Sequence, residues 1–159
     1  MSNIKVTVFT HTYNRASKIG KFYESLKKQS DNSFEWIIVD DGQDNTIDLV
    51  KEYKKEADFP IHYFRSEGER GISREFNLML TKAKGFFVMK VGDDDVLTSD
   101  ALEKVLGFES IITAERTHYA GVSGLKAYSD GKYVRGYFQT KQVDCKFQVL
   151  EGRCLDNAV

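Results

Sequence analysis

The sequence predicts an α/β fold with a mainly parallel sheet and helices on both faces. Three observations lead there. Strand-like and helix-like segments alternate through residue 115; the strand segments include continuous apolar runs of the kind buried on both sides; and each helical segment carries one apolar stripe.

The elements follow in order. Residues 4–10 alternate valine, threonine and phenylalanine, the pattern of a first strand. Ile19, Phe22, Tyr23 and Leu26 then recur at i, i+3, i+4 and i+7 and define a helix with lysines and glutamate on its other face. Residues 34–39 (FEWIIV) read as a buried strand. A second helix spans 45–57, with Leu49, Val50, Tyr53 and Ala57 on one side, and Pro60 introduces a short strand over 61–65. Ile72, Phe76, Met79, Leu80 and Ala83 make a third helix, expected to stop at Gly85 as a left-handed cap, and 86–91 is the next strand. A fourth helix is expected over 99–115, with Leu102, Val105, Leu106 and Ile112 inward. Residues 119–128 read as strand, and Ser129-Asp130-Gly131 signals a hairpin turn before 133–138. Residues 140–159 carry no clear pattern.

At 159 residues the chain is expected to form a single domain, 1–159. Its net charge of −1 provides no overall basic field for nucleic acid. The longest apolar runs, such as 36–39 and 85–89, fall far short of the roughly 20 residues of a membrane span. The start, Met1-Ser2-Asn3-Ile4-Lys5, lacks the basic and apolar regions of a secretory signal, so a cytoplasmic chain is expected, with Cys145 and Cys154 as free thiols.

In a parallel α/β sheet, ligands bind beyond the carboxyl ends of the strands. Those places read Thr10-His11-Thr12-Tyr13-Asn14-Arg15, Asp40-Asp41-Gly42 and Gly92-Asp93-Asp94-Asp95. Asp40, Asp41 and Asp93 to Asp95 on one rim would repel one another unless a cation or a hydrogen-bonding ligand sits among them, and hard oxygen donors favour Mg²⁺, Mn²⁺ or Ca²⁺. Aspartates also initiate turns and cap helices, which is the competing reading of each cluster taken alone.

Val8 to Arg15, Val39-Asp40-Asp41-Gly42, Gly71-Ile72-Ser73-Arg74-Glu75-Phe76-Asn77 and Val91-Gly92-Asp93-Asp94-Asp95, in that order, resemble the successive motifs of family 2 glycosyltransferases. The resemblance covers about residues 4–105. It implies the GT-A fold, a Rossmann-like three-layer sandwich, with residues 1–105 as the nucleotide-sugar-binding half and 106–159 as a partial, truncated acceptor-side segment. It also implies inverting transfer of a sugar from a nucleoside-diphosphate donor, a UDP-sugar above all, with Mn²⁺ or Mg²⁺. The acceptor, whether glycan, lipid-linked or another hydroxyl compound, is left open, and so is a peripheral position at the inner face of the membrane.

Carried onto this chain, the resemblance places Thr12 and Tyr13 at the base, where a phenol ring can lie on a pyrimidine face. It makes Asp41 the acceptor of the uracil ring N–H, and sets Arg74 near base and diphosphate, where its planar fork suits carbonyl or phosphate oxygens. Asp94 is aligned with the ribose or the metal and Asp95 with the metal. Gly92 stands where the family often has its first aspartate, so a register using Asp93 and Asp95 as the metal pair stays open. The stretch from Asp40 to Thr46 is one residue short of the usual loop, and His11 replaces a common proline. The acids at the end of the chain, Asp144, Glu151 and Asp156, match no known base, so no catalytic residue is assigned, and the chain is expected to lack one. The alternative function is a nucleotide-sugar-binding module without transfer activity. A receiver-like domain is disfavoured because its acidic pair would follow the first strand. Gly68-Glu69-Arg70-Gly71 is not a dinucleotide-binding glycine motif.

Overall fold

The elements of the computed structural model run β1 (Val6–Thr12), α1 (Ala16–Leu26), β2 (Phe34–Asp40), α2 (Thr46–Glu56), β3 (Ile61–Arg65), α3 (Ile72–Leu80), β4 (Phe87–Lys90), α4 (Ala101–Leu106) and α5 (Glu109–Ala114). It describes residues 3–66, 72–114, 121–122, 126–128 and 130–134. The strands form a parallel sheet in the order β3-β2-β1-β4. The chain divides into two compact units, Met1–Ala114 and Glu115–Val159, and the sheet belongs to the first.

Alternation along the strands sends side chains to two apolar layers. On one face Val6, Val8, Phe34, Trp36, Ile38 and Ile61 pack with Ile19, Phe22, Tyr23 and Leu26 of α1, Val50 of α2 and Leu102 of α4. On the other, Phe9, Ile37 and Val39 meet Met79, Phe76 and Leu78 of α3. Trp36 is the centre of the first layer. Phe22 meets it edge-on at 5.5 Å, Tyr23 stacks on it at 6.2 Å, and its indole N–H donates to Thr10 Oγ1 at 3.0 Å. Glu35, fully buried, accepts bonds from Thr7 Oγ1 and the Lys84 amide, both at 2.7 Å. The Lys84 and Gly85 amides also donate to Thr7 Oγ1, at 3.2 and 2.9 Å, which brings the connection into β4 down onto β1.

The structure amends several sequence expectations. Strand β1 continues to Thr12, because its pairing with β2 runs on through Thr12 opposite Asp40, so His11 and Thr12 are strand residues. The expected fourth helix is two short ones, broken at Gly107 and Phe108, where the poor helix propensity of glycine coincides with the turn. Helix α3 ends at Leu80, and Gly85 has no left-handed backbone. The requirement at Gly85 is close approach: a Cβ there would lie 2.3 Å from the Thr7 amide nitrogen.

In the second unit, Ala127 bridges Tyr133 in antiparallel fashion, and Gly131, at φ +83°, makes the tight turn expected there. Cys145, Cys154, His118, Asp144, Glu151 and Asp156 lie outside the described residues. Among the described residues no helix is long and apolar enough to cross a membrane.

Neither α1 nor α2 is capped by its own N-cap side chain. Asp44 serves both instead. Its Oδ2 accepts from the Ala16 amide at 2.8 Å, at the start of α1, while Oδ1 accepts from the Thr46 amide at 3.1 Å and hydroxyl at 2.6 Å, at the start of α2. Burial pushes the Asp44 carboxyl up, but these bonds outweigh it and hold the group below its ordinary value.

Two predictions follow from the packing. Replacing Gly85 by alanine must push β4 from β1, at a cost of about 1–3 kcal/mol; urea denaturation should give a lower midpoint at unchanged slope. Asp44→Ala should cost about 1–2 kcal/mol near neutral pH, as loss of a cap does. Because the folded-state carboxyl is depressed, its contribution is complete above the unfolded carboxylate pKa of about 3.9 and is lost as pH falls through the folded value. The difference between Asp44→Ala and the parent should therefore shrink in acid, which pH-dependent urea titrations would read.

Candidate nucleotide-sugar site

Since β1 lies between β2 and β4, the segments that leave these strands emerge side by side at one rim. Thr12, the last residue of β1, is buried and donates its hydroxyl to Asp93 Oδ2 at 2.8 Å. The chain then turns through Asn14, whose φ of 52° is a left-handed conformation that asparagine tolerates. Asn14 Oδ1 accepts from the Gln43 amide at 2.6 Å. Gly42 fits against this turn only without a side chain, because a Cβ there would lie 2.4 Å from the Asn14 nitrogen. The loops after β1 and β2 are thus keyed together.

The acids of the rim have different surroundings. Asp40 is fully buried and turned toward β3, where it accepts from the Tyr63 hydroxyl at 2.7 Å and the Gly42 amide at 2.8 Å, with Arg65 3.6 Å away. Burial, then the bond to Asp40, pushes the Tyr63 phenol up to about 12. The expectation that every acid faces one common space therefore fails for Asp40. Strand alternation puts it on the opposite face from Asp41. The Asp41 side chain is 8% exposed, and its Oδ1 lies 3.2 Å from His11 Nε2. The two atoms are out of line for a hydrogen bond, and each is buried without a partner.

Asp93 is 4% exposed and uses both oxygens: Oδ2 accepts from Thr12, and Oδ1 accepts from Arg15 at 3.1 Å. The same Arg15 nitrogen donates to Asp94 Oδ2 at 2.9 Å. Asp94 Oδ1 and Asp95 Oδ2 both lie over Gly92, 3.2 and 3.0 Å from the point where a side chain would begin. The glycine leaves room in which two hard oxygen donors meet. Among the described residues, no group of three or more His, Cys, Asp or Glu side chains could by itself hold a metal ion. The donor type nevertheless fits a divalent cation whose remaining ligands come from phosphate oxygens and water.

Tyr13 follows β1 directly and is 43% exposed at the rim. Arg74 is exposed on the first turn of α3, beside Glu75, which is buried and accepts from Ser66 Oγ at 2.9 Å just past β3. This bond fixes the start of α3 at the same end of the sheet. The structure thus gathers Thr12, Tyr13, Asp41, Asp93, Asp94 and Asp95 at one rim, with Arg74 on the helix that packs over β1 and β2. Two members escape sequence reasoning. Arg15 stands in the first motif, but only the fold shows that it pairs with both Asp93 and Asp94. The contact of His11 with Asp41 has no signal beyond the position of both residues at strand ends.

Comparison with known proteins agrees with this geometry. Residues 7–149 match glycosyl transferase family 2. TuaG of Bacillus subtilis (strain 168), a glycosyltransferase assigned to teichuronic acid biosynthesis, is 37% identical over 111 residues, covering 68% of this chain and 44% of TuaG. Among solved structures, Staphylococcus aureus TarS 1–349 in complex with UDP superposes with a TM-score of 0.61 at 28% identity, over 70% of this chain and 33% of TarS 1–349. The same TarS portion has also been solved with UDP-GlcNAc. The mannosyltransferase PcManGT of Pyrobaculum calidifontis, solved with GDP-Man and Mn²⁺, shares the fold with a TM-score of 0.61 at 24% identity, over 64% of this chain and 31% of PcManGT. This chain therefore spans less than half the length of these relatives. With a GT-A sheet, its motifs at the strand ends and a family match across most of its length, the chain belongs to glycosyl transferase family 2.

Proposed function

We propose that this chain carries the donor site of a glycosyltransferase that uses a UDP-sugar and a divalent cation, Mn²⁺ or Mg²⁺, and transfers the sugar with inversion to a hydroxyl acceptor. The observation that carries the reading is the rim itself. A carboxylate placed to read a base, Asp41, and an oxygen-donor pair, Asp94 and Asp95, follow the two strands that flank β1, and an exposed aromatic ring, Tyr13, follows β1 between them. The UDP and UDP-GlcNAc complexes of TarS support the choice of nucleotide.

In this reading Tyr13 supplies a face for the pyrimidine and Asp41 accepts its ring N–H. Arg74 approaches base and diphosphate from α3. Asp95, with Asp94, holds the cation; when bound, it supplies positive charge to the departing diphosphate. The Asp93–Asp95 pairing is the weaker alternative, because both Asp93 oxygens already accept bonds. Asp93 acts instead through Arg15, which it holds beside Asp94 so that neither carboxylate swings away.

The test is a thermal-shift and calorimetric titration. UDP should raise the melting temperature when Mn²⁺ or Mg²⁺ is present, since a ligand at about 100 times its Kd adds about 2.7 kcal/mol to the native state. Asp41→Asn replaces part of an acceptor with a donor and should weaken UDP while leaving the dependence on Mn²⁺ intact. Asp95→Asn should weaken the Mn²⁺ dependence and leave base preference unchanged. Absence of any nucleotide-dependent shift with either metal would refute the donor-site assignment.

A further inference from the structure

The contact between His11 and Asp41 is the least satisfied part of the rim. His11 Nε2 and Asp41 Oδ1 lie 3.2 Å apart, each sealed from solvent and each without a hydrogen-bond partner. Two buried polar atoms left in this state cost free energy that a single bond between them would recover. The distance already suits that bond; only the angle does not. Rotating one side chain into line would close it, provided the imidazole carries its proton on Nε2. With the proton on Nδ1 instead, two lone pairs would face each other.

We infer that His11 is a positioning residue for base recognition: its Nε2–H closes on Asp41 Oδ1 and fixes the carboxylate, leaving Oδ2 for the ring N–H of a uracil base. The inference rests on the donor-site reading above, in which Asp41 reads the base. A carboxylate on a short side chain can rotate about its last bond, and a rotating acceptor discriminates poorly between bases. His11 removes that freedom from within the adjacent strand, where β1 pairing holds its backbone opposite Val39. The selection that results is chemical. Uracil presents a hydrogen at the ring nitrogen that faces such a carboxylate, whereas cytosine presents a lone pair there. An oriented Asp41 therefore favours uridine over cytidine nucleotides, and an unoriented one does so less.

The experiment compares UDP and CDP binding by calorimetry, at saturating Mn²⁺, in the parent, His11→Leu, His11→Asn, His11→Gln, Asp41→Asn and the His11→Leu/Asp41→Asn double variant. Leucine fills the space without a donor, asparagine is polar but too short to place its amide at the Nε2 position, and glutamine can place an N–H there. His11→Leu and His11→Asn should weaken UDP by about tenfold while leaving CDP nearly unchanged, as loss of one hydrogen bond to a charged acceptor does. Glutamine should restore both affinity and the preference for UDP. In the Asp41→Asn background, His11→Leu should add no further loss. A purely structural histidine would weaken UDP and CDP alike, would not be rescued by glutamine, and would show its loss with Asp41 already replaced; any of these results, or parent-like UDP binding by both His11→Leu and His11→Asn, overturns the inference while the donor site stands. A parent protein that binds neither nucleotide overturns the donor-site reading and this inference with it.

Discussion

Everything at the rim depends on strand β1 being enclosed. It is paired on both edges, to β2 and β4, and buried from Val6 to Thr10, so its chain first approaches solvent toward its carboxyl end. Its threonines are each committed: Thr7 to Glu35 and the Gly85 amide, Thr10 to the Trp36 indole, Thr12 to Asp93. A strand with no slack in its interior fixes the origin of the loop that follows to within a hydrogen bond's tolerance. The same holds for β2, all of whose residues are buried. The site is built on the rigid part of the molecule, which is what orienting a ligand requires.

Buried carboxylates are costly unless their oxygens are satisfied. At the rim Asp40 is met by a phenol and an amide, and Asp93 by a hydroxyl and a guanidinium. Most of these donors are neutral, so the rim keeps a negative character while its skeleton is tied down. Arg15 is the exception. Half exposed, it pairs with Asp93 and Asp94 and offsets one of their two charges, while the atoms nearest a side chain at Gly92 are those of Asp94 and Asp95. Charge is thereby held ready at the surface and immobilised just beneath it.

Much of this could be read from residue order. The apolar stripe of α1 and the run Phe34 to Val39 are strong periodic signals, and both elements appear as expected. The placement of the acidic segments at strand ends followed from the α/β alternation. What could not be read were facts about direction and contact. Asp40 and Asp41 are adjacent and chemically identical, yet strand alternation sends one inward to Tyr63 and leaves the other at the rim. Gly85 looked like a helix stop because glycine serves that purpose so often; its actual constraint comes from Thr7, a residue far away in sequence. Arg15 and Asp44 act across long separations for the same reason, and no local pattern encodes such partners.

The sharing of Asp44 between two helix starts has a consequence for motion. The Ala16 and Thr46 amides end on one carboxylate, and the Gln43 amide between them ends on the Asn14 side chain, so the loops after β1 and β2 cannot open separately without stranding a donor in the other. Local opening then becomes a joint event, with amide hydrogen exchange at Ala16, Gln43 and Thr46 governed by one common opening equilibrium instead of three independent ones. Ligand entry at this rim would meet a single cooperative surface, closed or open as a whole.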